Sequence, residues 1–307
     1  MGTLADIARE GIRAVTEQTN IVELVGEAYD LLRTEVARSN GIVEVPSNIR
    51  LLAVGDIHGD LETLLKILER ATLTSINKGD VKVVFLGDYI DRGPYQLESL
   101  MSVLVLKKRF PDSIVILRGN HEPPEDLIPY PHDFPMELVM RFGYAKGNDL
   151  YRLFLRLFNV LPHVALVKGE LVLLHGGLPT RTYMRASTVY EYFNGLEEST
   201  RSEILAEVLW NDPVEYNVVS MPSPRGAGYL FGSKVTSWFL KKFKVKVVIR
   251  GHEPTDKGYK FNHNNTVLTL FSRLGPPYYN SSAAYALIDL SQERWSRNIV
   301  NYIRLIS

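Results

Sequence analysis

Apolar residues in this chain follow two different rhythms. Up to about residue 40 they recur at helical spacing, with Ile21, Val22, Leu24, Val25, Ala28, Leu31 and Leu32 on one stripe, which predicts an N-terminal helical cap within residues 1–48. Beyond it come short apolar runs, LLAV at 51, VKVVFL at 81 and SIVIL at 113, separated by the helical patterns LETLLKILERA and QLESLMSVLVLKKRF. Runs of this length between loops read as buried strands, and their alternation with helices predicts βαβαβ units around a largely parallel sheet. Residues 135–158 read as further helix, HVALV and LVLLH as two strands about the turn KGE, and stretches near 197–209 and 233–243 as helices. The runs VKVVIR, TVLTLF, AAYALIDL and NIVNYIRLI close the chain as strands and predict a second sheet packed on the first. No repeat, low-complexity tract or dividing linker breaks this order, so residues 1–307 are expected to form a single domain.

Composition then narrows the partners. Lys+Arg and Asp+Glu both total 35, which leaves no global field toward nucleic acid or an anionic membrane surface. No stretch approaches the ~20 apolar residues that a spanning helix needs. The chain has no cysteine, so disulfides, thiolate metal sites and thiol nucleophiles are excluded, and a cytoplasmic setting without nucleic-acid or membrane partners is expected.

The candidate chemistry sits where strands end. The loops GDIHG (55–59), GDYIDRG (87–93) and RGNHE (118–122) each follow a predicted strand. They are spaced by about thirty residues, one βαβ unit. Parallel strands deliver such loops to the same sheet edge, where ligand sites of open α/β sheets form. HGG (175–177) and RGHE (250–253) end two later apolar runs, and four of the seven histidines, His58, His121, His175 and His252, lie in these five loops. Asp56, His58, Asp88, Asn120, His175 and His252 together offer carboxylate, imidazole and amide donors for two first-row divalent ions sharing one carboxylate. Arg92 and Arg225 present planar donor forks suited to phosphate, although Arg225 taken alone is also readable as a solvated loop arginine. His121 suits a general acid, with Asp91 holding its tautomer. Of the remaining histidines, His163 is expected to be packed, and His132 and His263 to lie at the surface. RGAGYLFGSK matches neither a dinucleotide fingerprint nor a P-loop.

In this order GDIHG, GDYIDRG, RGNHE, LHGGL and RGHE resemble the phosphoprotein phosphatase family of metal-dependent serine/threonine phosphatases, the group of protein phosphatase one, 2A and calcineurin. LWNDP (209–213), RGAGYLFG (225–232), GYKF (258–261) and TLFS (269–272) extend the similarity over nearly the whole chain. The resemblance implies a calcineurin-like α/β/β/α sandwich and one metallophosphoesterase catalytic domain hydrolysing phosphoserine and phosphothreonine in phosphoprotein substrates. It implies a first metal on Asp56, His58 and Asp88 and a second on Asp88, Asn120, His175 and His252, with manganese expected and iron or zinc as the other candidates. Arg92, Arg225 and Asn120 would contact the phosphate, and His121 with Asp91 would protonate the leaving oxygen. A tyrosine near the site would be Tyr278, or Tyr279 beside it. Two divalent ions against two ligand carboxylates leave a positive pocket, which attracts a phosphomonoester dianion and makes a bridging hydroxide available for in-line attack. The chain departs from the family in PPEDLIPYPHDFPM, after the third motif. It also lacks the family's toxin-reactive loop cysteine and a C-terminal regulatory tail, which points to an archaeal or bacterial member; regulatory subunits stay open. Two rival readings keep the motifs. A diadenosine tetraphosphate hydrolase is opposed by GDYIDRG and LWNDP, and a non-catalytic metal-binding scaffold by the retention of all six ligands.

Overall fold

The computed structural model describes residues 2–307. Two helices open it, α1 (Leu4–Ala14) and α2 (Gln18–Ser39), and Asn40, at φ 49°, turns the chain into the short strand β1 (Ile42–Glu44). The alternation predicted from the apolar runs follows as β2 (Arg50–Val54), α3 (Leu61–Leu68), α4 (Leu73–Asn77), β3 (Val81–Phe85), α5 (Gln96–Arg109) and β4 (Ile114–Ile116), and the three later strands pair in parallel. α3 begins at Asp60, whose carboxylate accepts from the Thr63 N–H and caps the helix. Helices α6 (Phe134–Phe142) and α7 (Tyr144–Phe158) lead into the antiparallel pair β5 (Val164–Val167) and β6 (Leu171–Leu174). Next come α8 (Val189–Asn194), α9 (Arg201–Trp210), β7 (Asp212–Val214), β8 (Ser220–Pro222), β9 (Tyr229–Gly232) and α10 (Ser233–Phe243). The chain ends with β10 (Val247–Arg250), β11 (Tyr259–Asn262), β12 (Val267–Leu270), β13 (Ala283–Asp289) and β14 (Ile303–Ile306).

These strands form a sheet in the order β14-β13-β2-β3-β4, a second in the order β1-β5-β6-β10-β12-β11, and a small third, β7-β9-β8. The two large sheets face each other through Leu51, Ala53, Val84 and Val115 on one side and Leu171, Leu173, Ile249 and Leu268 on the other. On the outer face of the first, Leu52, Val54, Val83 and Phe85 pack among apolar residues of α1, α2, α3 and α5. The outer face of the second carries Val172, Leu174 and Val248 against Tyr192, Phe193 and Phe239. Helix, sheet, sheet, helix is the four-layer sandwich expected. Because the central strands are buried on both faces, their sequence reads as continuous apolar runs and not as alternation.

The structure corrects three expectations. AAYALIDL does not build the second sheet; as β13 it runs antiparallel beside β2 in the first. There it satisfies the backbone groups along an edge of β2 that would otherwise be left unpaired in the interior. NIVNYIRLI is a strand only over Ile303–Ile306, and Trp295–Tyr302 before it is 3-10 helix. Val22 points to solvent, 45 % exposed, although Ile21, Leu24, Val25, Ala28 and Leu32 are buried as predicted. No helix among the described residues is long and apolar enough to cross a membrane.

Candidate active site

Nearly every candidate side chain leaves the carboxyl end of a strand. Asp56 and His58 follow β2; Asp88, Asp91 and Arg92 follow β3; Asn120 and His121 follow β4; His175 follows β6; His252 follows β10; and Tyr278 lies beyond β12. β6, β10 and β12 are parallel, as are β2, β3 and β4. The loops of both large sheets therefore meet, in a cleft of about 690 Å³ whose walls include His58, Asp88, Arg92, Asn120, His121 and Arg225. Arg225 arrives differently, from the tip of the hairpin that joins β8 to β9. Five of these residues hold left-handed backbone: His58 (φ 44°), Asp88 (56°), Asp91 (65°), Arg92 (74°) and His252 (71°). Each such conformation costs an L-residue about 1–2 kcal/mol, so the surrounding structure must over-determine it, a pattern concentrated at functional sites.

Six buried side chains turn their donor atoms on one another. The Nδ1 of His58 bonds the Ile90 carbonyl at 2.8 Å, which leaves its Nε2 3.3 Å from Asp88 Oδ2 and 4.0 Å from Asp56 Oδ2. His175 Nδ1 likewise bonds the Leu86 carbonyl, and its Nε2 lies 2.9 Å from Asn120 Oδ1, 3.2 Å from His252 Nδ1 and 3.4 Å from Asp88 Oδ1. Carbonyl partners on the far nitrogens fix which imidazole nitrogen faces inward, as outer-shell contacts of metal-ligating histidines do. Asp88 thus offers one oxygen to each half of the cluster. Asp56 Oδ1 accepts from the His252 N–H, while its Oδ2 is buried without a hydrogen-bond partner among the described residues. Burial, and after it the charge of Asp88, pushes Asp56 up to about 7, and burial raises Asp88 as well. Two carboxylates this costly to ionise, an orphaned oxygen and converging imidazole nitrogens are what a pair of divalent cations would resolve. Asp56, His58 and Asp88 could hold one cation, and Asp88, Asn120, His175 and His252 the other.

Beside this cluster His121 Nδ1 meets Asp91 Oδ2 at 2.5 Å. Burial opposes ionisation of Asp91, but hydrogen bonds from His121 and His132 outweigh it and hold the carboxyl well below the usual range. Burial also drives the His121 imidazolium down to about 4, opposed by the Asp91 bond. Arg92 lies at the cleft with its Nε buried and unpartnered among the described residues. Arg225 is not a free surface arginine: its Nε bonds Asp212 Oδ2 at 2.5 Å, and the other Asp212 oxygen takes Arg250 at 2.8 Å. Tyr278 stacks on His58 with ring centroids 6.0 Å apart, whereas Tyr279 is 77 % exposed, so Tyr278 is the tyrosine at the cleft.

Several residues of the site were given no role from sequence. Glu122 accepts from the N–H groups of Asp88 (2.8 Å), Tyr89 (2.8 Å) and Gly119 (3.1 Å), stapling the second loop to the third. It and Asp212 stand inside quoted motifs, so the signal was present but not its meaning. His132 and His263 overturn the surface expectation. His132 Nδ1 bonds Asp91 at 2.7 Å. His263 is buried between Thr236 and the Val214 carbonyl. His163 is packed as expected, its ring against Gly41.

The profile of calcineurin-like phosphoesterases matches residues 49–256. Over 284 residues the chain is 30% identical to the serine/threonine-protein phosphatase 4 catalytic subunit of Eremothecium gossypii, spanning 92% of this chain and 85% of that one. A protein serine/threonine phosphatase from Saccharomyces cerevisiae with similarity to human phosphatase PP5 superposes with a TM-score of 0.75 at 22% identity, over 94% of this chain and 89% of that one. A cold-active protein-tyrosine phosphatase from a psychrophilic Shewanella species gives 0.54 at 17% identity, over 81% and 77%. At these identities the two structures speak for the fold alone.

Proposed function

The chain belongs to the calcineurin-like phosphoesterase family, and from that premise we propose that it is a metal-dependent phosphatase of protein serine and threonine residues. One observation carries the reading furthest: loops from two separate sheets gather six metal-capable side chains beside one cleft that His58, Asp88, Asn120, His252 and His121 line, with Asp91 bonded to His121 and two arginines at the wall. A divalent pair in that cluster supplies a nucleophile from water near neutral pH and positive charge for the phosphoryl oxygens. The donor set suits first-row ions, and we take manganese as the pair, with iron and zinc as the ions to compare. We place the enzyme in the cytoplasm.

The chain's own residues supply the rest. Arg92 and Arg225 orient the phosphomonoester by hydrogen-bonding its equatorial oxygens, as planar guanidinium forks do. For Arg225 this means sharing its guanidinium with Asp212, which pre-sets its direction before substrate arrives. The His121 ring, tied at Nδ1 to Asp91, turns its other nitrogen to the departing serine or threonine oxygen; in the imidazolium form its Nε2–H passes to that oxygen as the P–O bond breaks, leaving the neutral ring with its Nδ1–H on Asp91. Tyr278, over His58, closes one side of the cleft against solvent.

The test compares kcat/KM of the manganese-loaded protein on a phosphothreonine peptide and on diadenosine tetraphosphate, each with a chelator control. A clear preference for the peptide, lost on chelation, is the expected result. Preference for the dinucleotide would keep the site and overturn the substrate, and no metal-dependent turnover of either would overturn the enzyme.

A further inference from the structure

Resting on the phosphatase reading, we propose that His132, held in turn by Tyr151, is a positioning residue that fixes the Asp91–His121 pair for protonation of the leaving group. The argument starts from Asp91. A carboxylate has about four lone-pair sites, and here all are taken. Oδ2 accepts from His121 Nδ1 at 2.5 Å and from His132 Nδ1 at 2.7 Å. Oδ1 accepts from the backbone N–H groups of Asp133 at 2.8 Å and Phe134 at 2.9 Å. With its acceptor sites filled from fixed backbone and two rings, Asp91 cannot swing, and the direction of the His121 ring follows from it.

His132 is itself held. Because the ionised carboxylate only accepts, Nδ1 of His132 donates, and in the neutral ring Nε2 accepts from the Tyr151 hydroxyl, 2.8 Å away on α7. The hydrogen bonds run Tyr151 to His132 to Asp91, where they meet the bond from His121, so that a helix outside the cleft braces a ring inside it. His121 borders the cleft, whereas His132 stands behind Asp91 and is not among its walls. His132 therefore acts through Asp91 and not on substrate. Three of the four donors to Asp91 come from residues 132 to 134, in the proline-rich segment where the sequence departs from the family pattern.

A braced acid matters in proportion to how much the leaving group needs its proton. The experiment measures kcat and KM of full-length, manganese-loaded wild type, His132→Phe, His132→Asn and Tyr151→Phe on a phosphothreonine peptide and on p-nitrophenyl phosphate. For His132→Phe, kcat should fall about tenfold more on the peptide than on the aryl ester, a fraction of what a general acid contributes, with KM nearly unchanged. Tyr151→Phe should bias the ratio in the same direction by less. His132→Asn, whose amide N–H can stand where Nδ1 stood, should recover much of the ratio. Equal losses on both substrates, a change in KM alone, or no change would overturn the proposal. If melting shows that His132→Phe does not fold, Tyr151→Phe, which removes one hydroxyl, decides by the same ratio. A wild type inactive on both substrates would overturn the phosphatase reading and this proposal with it, whereas an active wild type with unbiased variants would overturn this proposal alone.

Discussion

His121 is where the chemistry proposed here depends most on the substrate. Its ring is buried, tied to Asp91 at 2.5 Å, and pushed toward the neutral form by that burial, so it gives up a proton readily once it carries one. An alkyl oxygen leaving from serine or threonine is strongly basic and needs that proton, whereas an aryl oxygen departs with little help. His121→Asn should therefore lower kcat on a phosphoserine peptide by about 10²–10⁴-fold and on an aryl phosphate by far less, as steady-state rates on the two would show. Comparable losses on both would remove His121 from the acid role. At this scale the sequence was most readable where residues came in motifs and least where a partner lay far along the chain. Asp56 and His58 stand two apart in one loop. His132 meets Asp91 across 41 residues, and no short pattern announces that contact.

Elements explain why the site residues meet at all. Three loops inherit their common edge from the parallel pairing of β2, β3 and β4, and this much followed from spacing alone. β7, β8 and β9, which set Asp212 and the Arg225 hairpin over the cleft, did not. They are three or four residues long, too short for a period to register. The placement of β13 beside β2 was also missed, because an apolar run does not say which sheet receives it. Between elements the tolerances are narrow. A Cβ at Gly119 would fall well inside van der Waals contact with the carboxylate and the amide of Asp88. Gly119→Ala should thus push the loop after β4 off the loop after β3, strain the Glu122 staple and cost about 1–3 kcal/mol of stability. Calorimetric melting, with manganese titration beside it, would check this: both the melting temperature and manganese affinity should fall. Wild-type values for both would mean that the loops are looser than their packing implies.

Over the whole molecule, one buried imidazole makes stability depend on acidity. Burial, and then the nearby Arg201 and Arg118 guanidiniums, push His163 down to about 4. Below its free value near 6.5 the unfolded chain takes up a proton that the native protein refuses, so the stabilisation is complete above that pH. It drains away as pH falls from about 6.5 toward 4, by on the order of 2–3 kcal/mol. His163→Leu should flatten the fall in denaturant-measured stability over that window, whatever it does at pH 8. A slope equal to wild type would assign acid sensitivity to other groups. The strand order β14-β13-β2-β3-β4 has a different reach, into synthesis. β2 finds its partner β3 among the residues made next, but its other edge waits for Ala283–Asp289, more than two hundred residues later. At about 5–20 residues per second, a ribosome leaves that apolar edge open for on the order of ten seconds or more. During that interval it is a template for any other nascent strand. The strand that covers this edge is thus made more than two hundred residues after β2, and chains truncated before residue 283 should be bound by chaperones or lost to aggregation even though they carry all six candidate ligands.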